Sequence, residues 1–308
     1  MNSTSFHRGV KVGNHLNISI VIPNRSDLRI KNLLESIDYY NDNNKTIEII
    51  IVLNKPTEEL KKLTYNLKEK MKEKFVFKIV NIEFSNFGLA YNTGIQNATY
   101  DNILFLDSDL ICGKGSIKLM VEDLIEQDVS IVKSKLIYER KDSFWDNLVY
   151  KSRLVTTTNA EPPYIPVILI KKQIFRELND GYMFPVDTVW CADADFAYRV
   201  LDKKIKIFYN DAKFYHASIS IKKDLYDAIL YGFGKGIRTK RTKEKWNPIK
   251  EAIFITRLGV DEKLSFMELI YLFVWGSLMQ IACLVQLLLP NGFFLKESLS
   301  FEKSANID

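Results

Sequence analysis

Four short apolar runs, residues 18–22, 47–53, 75–80 and 103–106, alternate with longer polar segments, and this alternation constrains the fold more than any other feature of the 308 residues. Each run is apolar at nearly every position, the pattern of a strand buried on both faces of a parallel sheet. Between the runs, Asp27 is placed to cap a helix carrying Leu28, Ile30, Leu33, Leu34 and Ile37. Pro56-Thr-Glu-Glu opens an amphipathic helix to about residue 72, and residues 88–98 read as a third helix. A βαβαβαβ order with connections this short predicts a wound α/β sheet, mostly parallel, with helices on both faces. Beyond it, helices are expected at 116–127, 172–178 and 193–202, and strands at 129–137, 166–170, 205–208 and 213–216, while 145–163 fits neither pattern.

A core of this kind fits residues 17–220, behind a polar arm at 1–16 that lacks the apolar stretch of a secretory signal. A hydrophobic fraction of 47% excludes global disorder. The net charge of +5 is mild and gathered late in the chain, which points to anionic partners other than nucleic acid. Cys112, Cys191 and Cys283 have no C-x-x-C spacing, so neither a zinc site nor a disulfide framework is expected, and a reducing compartment follows. Residues 221–263 read as a basic, glycine-interrupted tail, and 264–308 as a hydrophobic membrane-associated segment with a C-terminal extension. Within it, 269–289 holds no charge and is close to the ~20 residues that span a bilayer. Lys240, Arg241, Lys243, Lys245, Lys250, Arg257 and Lys263 precede it and favour the cytoplasmic face of the membrane. The expectation is a span or an interfacial helix, against the alternative of a buried helix in a soluble domain.

The fourth run ends in Asp107-Ser-Asp109. If the strand stays extended, its period of two points both carboxylates the same way. Such a pair suits a hard cation, Mg²⁺ or Mn²⁺, that also takes phosphate oxygens from a nucleoside-diphosphate leaving group. A helix cap is the plainer alternative. Farther on, Asp193-Ala-Asp195 begins a predicted helix on which Asp195 and Arg199 stand four apart and pair. Tyr231-Gly-Phe-Gly-Lys-Gly-Ile-Arg238 offers Lys235 and Arg238 to a phosphate, or else lies on anionic lipid.

Taken in order, these segments resemble the family 2-like glycosyltransferases of the GT-A fold. The resemblance rests on Val21-Ile-Pro23-Asn-Arg25, on Ile51-Val-Leu53-Asn54, on Gly88-Leu-Ala90-Tyr-Asn92-Thr-Gly94, on Asp107-Ser-Asp109 and on Trp190-Cys-Ala-Asp193-Ala-Asp195-Phe-Ala-Tyr-Arg199. It covers roughly residues 17–216 and implies a GT-A (Rossmann-like) fold and transfer of a hexose from a nucleotide-diphosphate donor, with inversion. The acceptor would be a glycan, a lipid-linked saccharide or a small molecule, as in polysaccharide biosynthesis. It further implies metal ligation by Asp107, Asp109 and His216, a catalytic base in Asp193, and donor contacts from Pro23, Arg25, Asn54, Gly88, Asn92 and Asp107. The chain departs from the pattern at Leu53, where an acid usually holds the base, at Tyr91, often an Arg, and at Ala192, often an acid. Two other expectations compete: a haloacid-dehalogenase-like phosphohydrolase, and a non-catalytic module that binds nucleotide sugars or glycans at a membrane.

Overall fold

The computed structural model describes residues 16–38, 46–83, 86–160, 162–178, 183–188, 190–243 and 245–289, so most of the polar arm and the C-terminal extension lie outside the described residues. An eight-stranded sheet runs in the order β3-β2-β1-β4-β7-β6-β8-β5. Its strands are β1 (Ile18–Asn24), β2 (Ile47–Asn54), β3 (Val76–Ile82), β4 (Asn102–Phe105), β5 (Leu110–Cys112), β6 (Ile131–Tyr138), β7 (Ile168–Lys171) and β8 (Ile207–His216). The four expected strands are all present and mutually parallel. β7 is antiparallel to both β4 and β6, β6 and β8 are parallel, and β5 returns antiparallel along β8.

Alternate residues of each central strand enter opposite cores, as a pleated strand buried on both faces requires. Ile20, Ile22, Ile49, Ile51 and Leu104 pack beneath α1 (Ile30–Ser36), α2 (Glu58–Met71) and α4 (Ser116–Glu126). Val21, Ile50, Val52, Ile103 and Phe105 pack beneath α3 (Phe87–Asn97), α6 (Gln173–Glu177) and α7 (Ala192–Asp202).

Several stretches differ from the sequence expectation, among them the two short strands expected at 205–208 and 213–216, which form the single strand β8. The chain expected to break at Pro23 continues as strand to Asn24, whose side chain then closes the turn by accepting from Asp27 N–H and donating to Asp27 O. The unassigned stretch after residue 143 forms α5 (Phe144–Arg153) and a π-helical turn, Leu154–Thr158. The supposed glycine-interrupted tail is a 22-residue helix, α8 (Ile221–Thr242), followed by α9 (Pro248–Asp261) and α10 (Phe266–Leu288). Glycine lowers intrinsic helix propensity by about 1 kcal/mol, yet here it permits close packing. A Cβ at Gly232 would lie 2.2 Å from Met279 O, and one at Gly236 would lie 2.6 Å from Gln286 Cβ, so α10 seats directly on the α8 backbone.

Buried charge fastens α8 to the sheet domain. Arg153 Nε donates to Asp224 (2.6 Å), its second terminal nitrogen reaches Asp227 (3.3 Å), and Tyr271 of α10 donates to the other oxygen of Asp224 (2.6 Å). Arg153 and Asp224 are 4% and 0% exposed, so either charge left alone would carry a desolvation cost of several kcal/mol. The three C-terminal helices are therefore part of the same packed body as the sheet.

Candidate active site

Asp107 and Asp109 stand beyond the carboxyl end of β4, where open α/β sheets bind ligands. What brings them together is a turn, not the continued pleat expected from the sequence: the strand stops at Phe105, and Leu110 N–H donates to Asp107 O at 3.3 Å. The turn leads into β5, a three-residue strand absent from the sequence expectation, whose Leu110 pairs with His216 at the end of β8. This register delivers His216 to the acids, its Nε2 3.0 Å from Asp109 Oδ2. On the other side of the imidazole, Nδ1 lies 2.6 Å from Ala217 O. A carbonyl only accepts, so Nδ1 carries the hydrogen and, in the neutral ring, Nε2 turns a lone pair toward the carboxylate. That contact calls for a positive charge, either a proton on His216 or a cation. Tyr138, beside His216 in the sheet, stacks on its ring with centroids 4.9 Å apart.

Asp107, Asp109, His216, Lys133 and Asp193 lie near enough to act on one another's charge. Burial pushes the Asp107 carboxyl up to about 7, helped by the charges of Asp109 and Asp193 and opposed by His216 and Lys133. At Asp109 burial also acts upward, but the hydrogen bond and charge of His216 and the charge of Arg29 outweigh it and hold the group below its usual value. Burial acts downward on His216, and its bond to Asp109 reverses the balance, so the imidazole is raised. Arg29 reaches Asp109 Oδ2 at 3.1 Å while also bonded to Asp27. Asp109 Oδ1 is buried without a partner.

Asp193 approaches from α7. Cys191, the residue before the helix, adopts the left-handed region at φ 63°, so the chain turns sharply into the first helical residues. Burial lifts the Asp193 carboxyl to about 6, against the backbone N–H groups of residues 194 and 193 and the charge of Lys133. Asp193 is the second residue of α7, not its cap: the N-cap position is Cys191, and no side chain caps the helix. Asp195 and Arg199 pair at 2.9 Å as expected, but as a buried rather than exposed bridge, and Arg241 of α8 joins them.

Lys133 was not singled out from the sequence. It sits on β6 at 7% exposure, with its ammonium donating to Pro166 O at 2.6 Å. Burial draws the ammonium down to about 8, while Asp193 and Asp107 act to hold the proton on it. The strand carries two lysines, Lys133 and Lys135, and only the sheet shows that Lys133 is the buried one, where a charge needs a partner. Tyr91, in the family's Arg position, is a core ring packed edge-on to Phe105, and burial with the charges of Asp107 and Asp193 raises its hydroxyl well above the usual range.

Several residues that the resemblance assigns to the donor make defined contacts within the fold. Pro23 is buried inside β1, whereas Arg25, on the following turn, is half-buried. Asn54 is 2% exposed and accepts the backbone N–H of Asn86 at 3.0 Å, which commits its oxygen to the start of α3. Asn92 makes a two-point clamp on Phe184, donating to its carbonyl at 2.8 Å and accepting its N–H at 2.9 Å. Gly88 lets the same segment pass, because a Cβ there would lie 2.0 Å from Pro185 O. Both residues hold the chain that leads to Trp190 and Asp193. Lys235 and Arg238 make no phosphate loop. Lys235 pairs with Glu251, and Arg238, 5% exposed, lies over the Tyr198 ring at 3.9 Å.

A family-wide sequence model described as glycosyl transferase family 2 matches residues 19–190, more than half of the chain. The chain belongs to glycosyl transferase family 2. Membership makes it a glycosyltransferase and closes the phosphohydrolase alternative, consistent with an Asp-x-Asp on the fourth rather than the first strand. No curated protein matches the sequence. Among solved structures, the mannosyltransferase PcManGT from Pyrobaculum calidifontis, in complex with GDP-Man and Mn²⁺, is 16% identical with a TM-score of 0.57, over 94% of this chain and 81% of that one. S. aureus TarS residues 1–349, in complex with UDP-GlcNAc, is 16% identical with a TM-score of 0.52, over 95% of this chain and 77% of that one. Against the longer S. aureus TarS structure the chain spans 39% of that protein's length, at 20% identity and a TM-score of 0.50. At these identities the likeness is one of fold, and that fold is GT-A.

Proposed function

We propose that this glycosyltransferase moves a hexose from a nucleoside-diphosphate donor to an acceptor hydroxyl by a single inverting displacement, with Asp193 as the base. The observation that carries it is the His216–Asp109 contact at 3.0 Å, beside an Asp107 whose carboxyl feels the charges of Asp109, His216, Asp193 and Lys133. Among the described residues no three His, Cys, Asp or Glu side chains form a ready-made metal cage. A divalent ion that takes one or two carboxylates and completes its shell with diphosphate oxygens and water needs no such cage. The buried, unpartnered Oδ1 of Asp109 and the lone pair of His216 fit that requirement, and the imidazole favours Mn²⁺ over Mg²⁺. A cation held there would neutralise charge on the departing diphosphate. Nucleotide sugars bound by PcManGT and TarS, and Mn²⁺ in the former, support the same donor chemistry here.

The chain's own residues then do the following. Asp109 and His216 hold the cation side of the donor, and Asp107 contacts the cation or the ribose. Arg25 flanks the nucleotide. Asp193, ionised above about pH 6, accepts the proton of the acceptor hydroxyl as its oxygen bonds to the anomeric carbon and the nucleoside diphosphate leaves with the bond pair. Lys133 feels the charges of both Asp193 and Asp107 and favours the charged form of Asp193. The cations ahead of α10 support work at the anionic, cytoplasmic surface of a membrane.

The test is titration calorimetry with nucleotide sugars and Mn²⁺, paired with transfer assays. Asp193→Asn is expected to retain donor binding and lose transfer, and Asp109→Ala to weaken both. Full transfer by the wild type in excess chelator would contradict the metal role, and full transfer by Asp193→Asn would contradict the base.

A further inference from the structure

Helix α10 is built inside out for a helix at a protein surface. Its polar Gln280 and Gln286 are buried, Gln280 accepting from Trp246 Nε1 at 2.8 Å, while Phe266, Ile270, Phe273, Ile281, Leu284 and Leu288 are 41–79% exposed. At 100° per residue these six fall within one narrow arc, along a helix about 34 Å long. No charge interrupts the arc. Beside it, α9 exposes Ile249, Ile253, Phe254 and Val260, interleaved with the exposed cations Lys250 and Arg257. Lys243 and Lys245 extend the positive charge toward α8, and Asp261 closes the far end of α9.

We infer that the outer faces of α9 and α10 form a monotopic seat in the interface of an anionic bilayer, with α10 lying in the membrane plane rather than crossing it. This deepens the membrane-associated reading of the enzyme and rests on it. An apolar face edged by lysine and arginine matches an interfacial helix, whose cations stay at the headgroups while apolar side chains enter the acyl boundary.

Crossing is opposed by what holds the helix from behind. Tyr271 bonds Asp224 near its start, Gly236 of α8 packs on Gln286 near its end, and Lys240 donates to Leu289 O just past it. To cross, α10 would have to leave α8 or take it along, and α8 buries Asp224, Asp227 and Arg238, which hydrocarbon excludes. The transmembrane alternative raised by the uncharged stretch 269–289 is therefore disfavoured, although the helix has the length and hydropathy for it.

The experiment uses the full chain with vesicles of phosphatidylcholine alone or mixed with phosphatidylglycerol. Sedimentation is expected to show binding to the anionic vesicles. Replacing Lys250 and Arg257 by alanine should weaken it about fivefold per cation. Phe273→Glu/Ile281→Glu should abolish it with an unchanged melting profile. A reporter dye on cysteine at 273 and, separately, at 284 then reads depth through lipids brominated near the headgroup or near the chain end. Equal, shallow quenching at both positions supports the in-plane seat. Unequal depths, one of them at the bilayer centre, would overturn it and leave membrane association standing. Absence of binding to anionic vesicles would overturn both, as would a stable dimer dispersed by Phe273→Glu/Ile281→Glu. Transfer to a soluble acceptor is measured separately and is unaffected by either outcome.

Discussion

Replacing Asp193 by asparagine separates what its charge costs the fold from what it does for the reaction. Burial lifts this carboxyl from 3.8 to about 6. At about 1.36 kcal/mol per pH unit, ionising it in the folded protein costs about 3 kcal/mol relative to the unfolded chain. Solvent reaching the partly exposed carboxyl reduces that figure, as does the loss of a partner for Lys133, so the substitution should recover about 1 to 2 kcal/mol. The sign follows from proton counts: between pH 3.8 and about 6 the folded state keeps a proton that the unfolded state has released. Stability therefore falls as pH rises through that window, and the cost is complete above it. Asparagine has nothing to ionise and keeps the oxygen that accepts from the amides of residues 193 and 194. Calorimetry should show equal melting temperatures for variant and wild type near pH 4, and a variant about 2–4 °C higher near pH 8. Transfer should be lost at both. A variant less stable at the higher pH, or shifted equally at both, would refute the buried-charge argument.

Other perturbations follow from the same contacts. Lys133→Met removes the cation beside Asp193, so the acid limb of kcat/KM should move to higher pH, and Lys133→Arg should move it less; an unmoved limb would exclude Lys133 from tuning the base. Gly88→Ala forces the Pro185 backbone away from α3 and should cost about 1–3 kcal/mol in denaturant unfolding together with a large loss of transfer. Arg153→Met leaves Asp224 and Asp227 buried without their guanidinium and should destabilise the whole domain by about 3–5 kcal/mol, read as a lower urea midpoint. A separate early transition of α8–α10 alone would contradict their packing as one body with the sheet.

Sequence pattern exposes the parts of this protein whose physics is local. The parallel strands are legible because burial on both faces demands continuous apolar runs, and the end of such a run locates Asp107 and Asp109. Order along the chain then locates Asp193 and His216. What stays hidden depends on contacts distant in sequence. β5 is three residues long and exists only through its pairing with β8, yet it is what carries His216 to Asp109. The glycines of α8 look like breaks until the α10 backbone is set against them. Asn92 and Gly88 belong to a recognisable motif, but that their work is to hold the Phe184–Pro185 backbone is visible only when that segment is in place. The acceptance of the Asn86 N–H by Asn54 likewise joins residues 32 apart in sequence.

In the proposed function the Asp-x-Asp turn, His216 and Asp193 bound one donor cleft. The most direct test of this arrangement is a crystal structure with Mn²⁺ and a nucleoside diphosphate, with data collected at the manganese absorption edge. An anomalous peak is expected in contact with Asp109 and His216, with the diphosphate within reach of Asp193. A peak away from Asp109, or a diphosphate bound where Asp193 cannot reach the sugar it would carry, would contradict it.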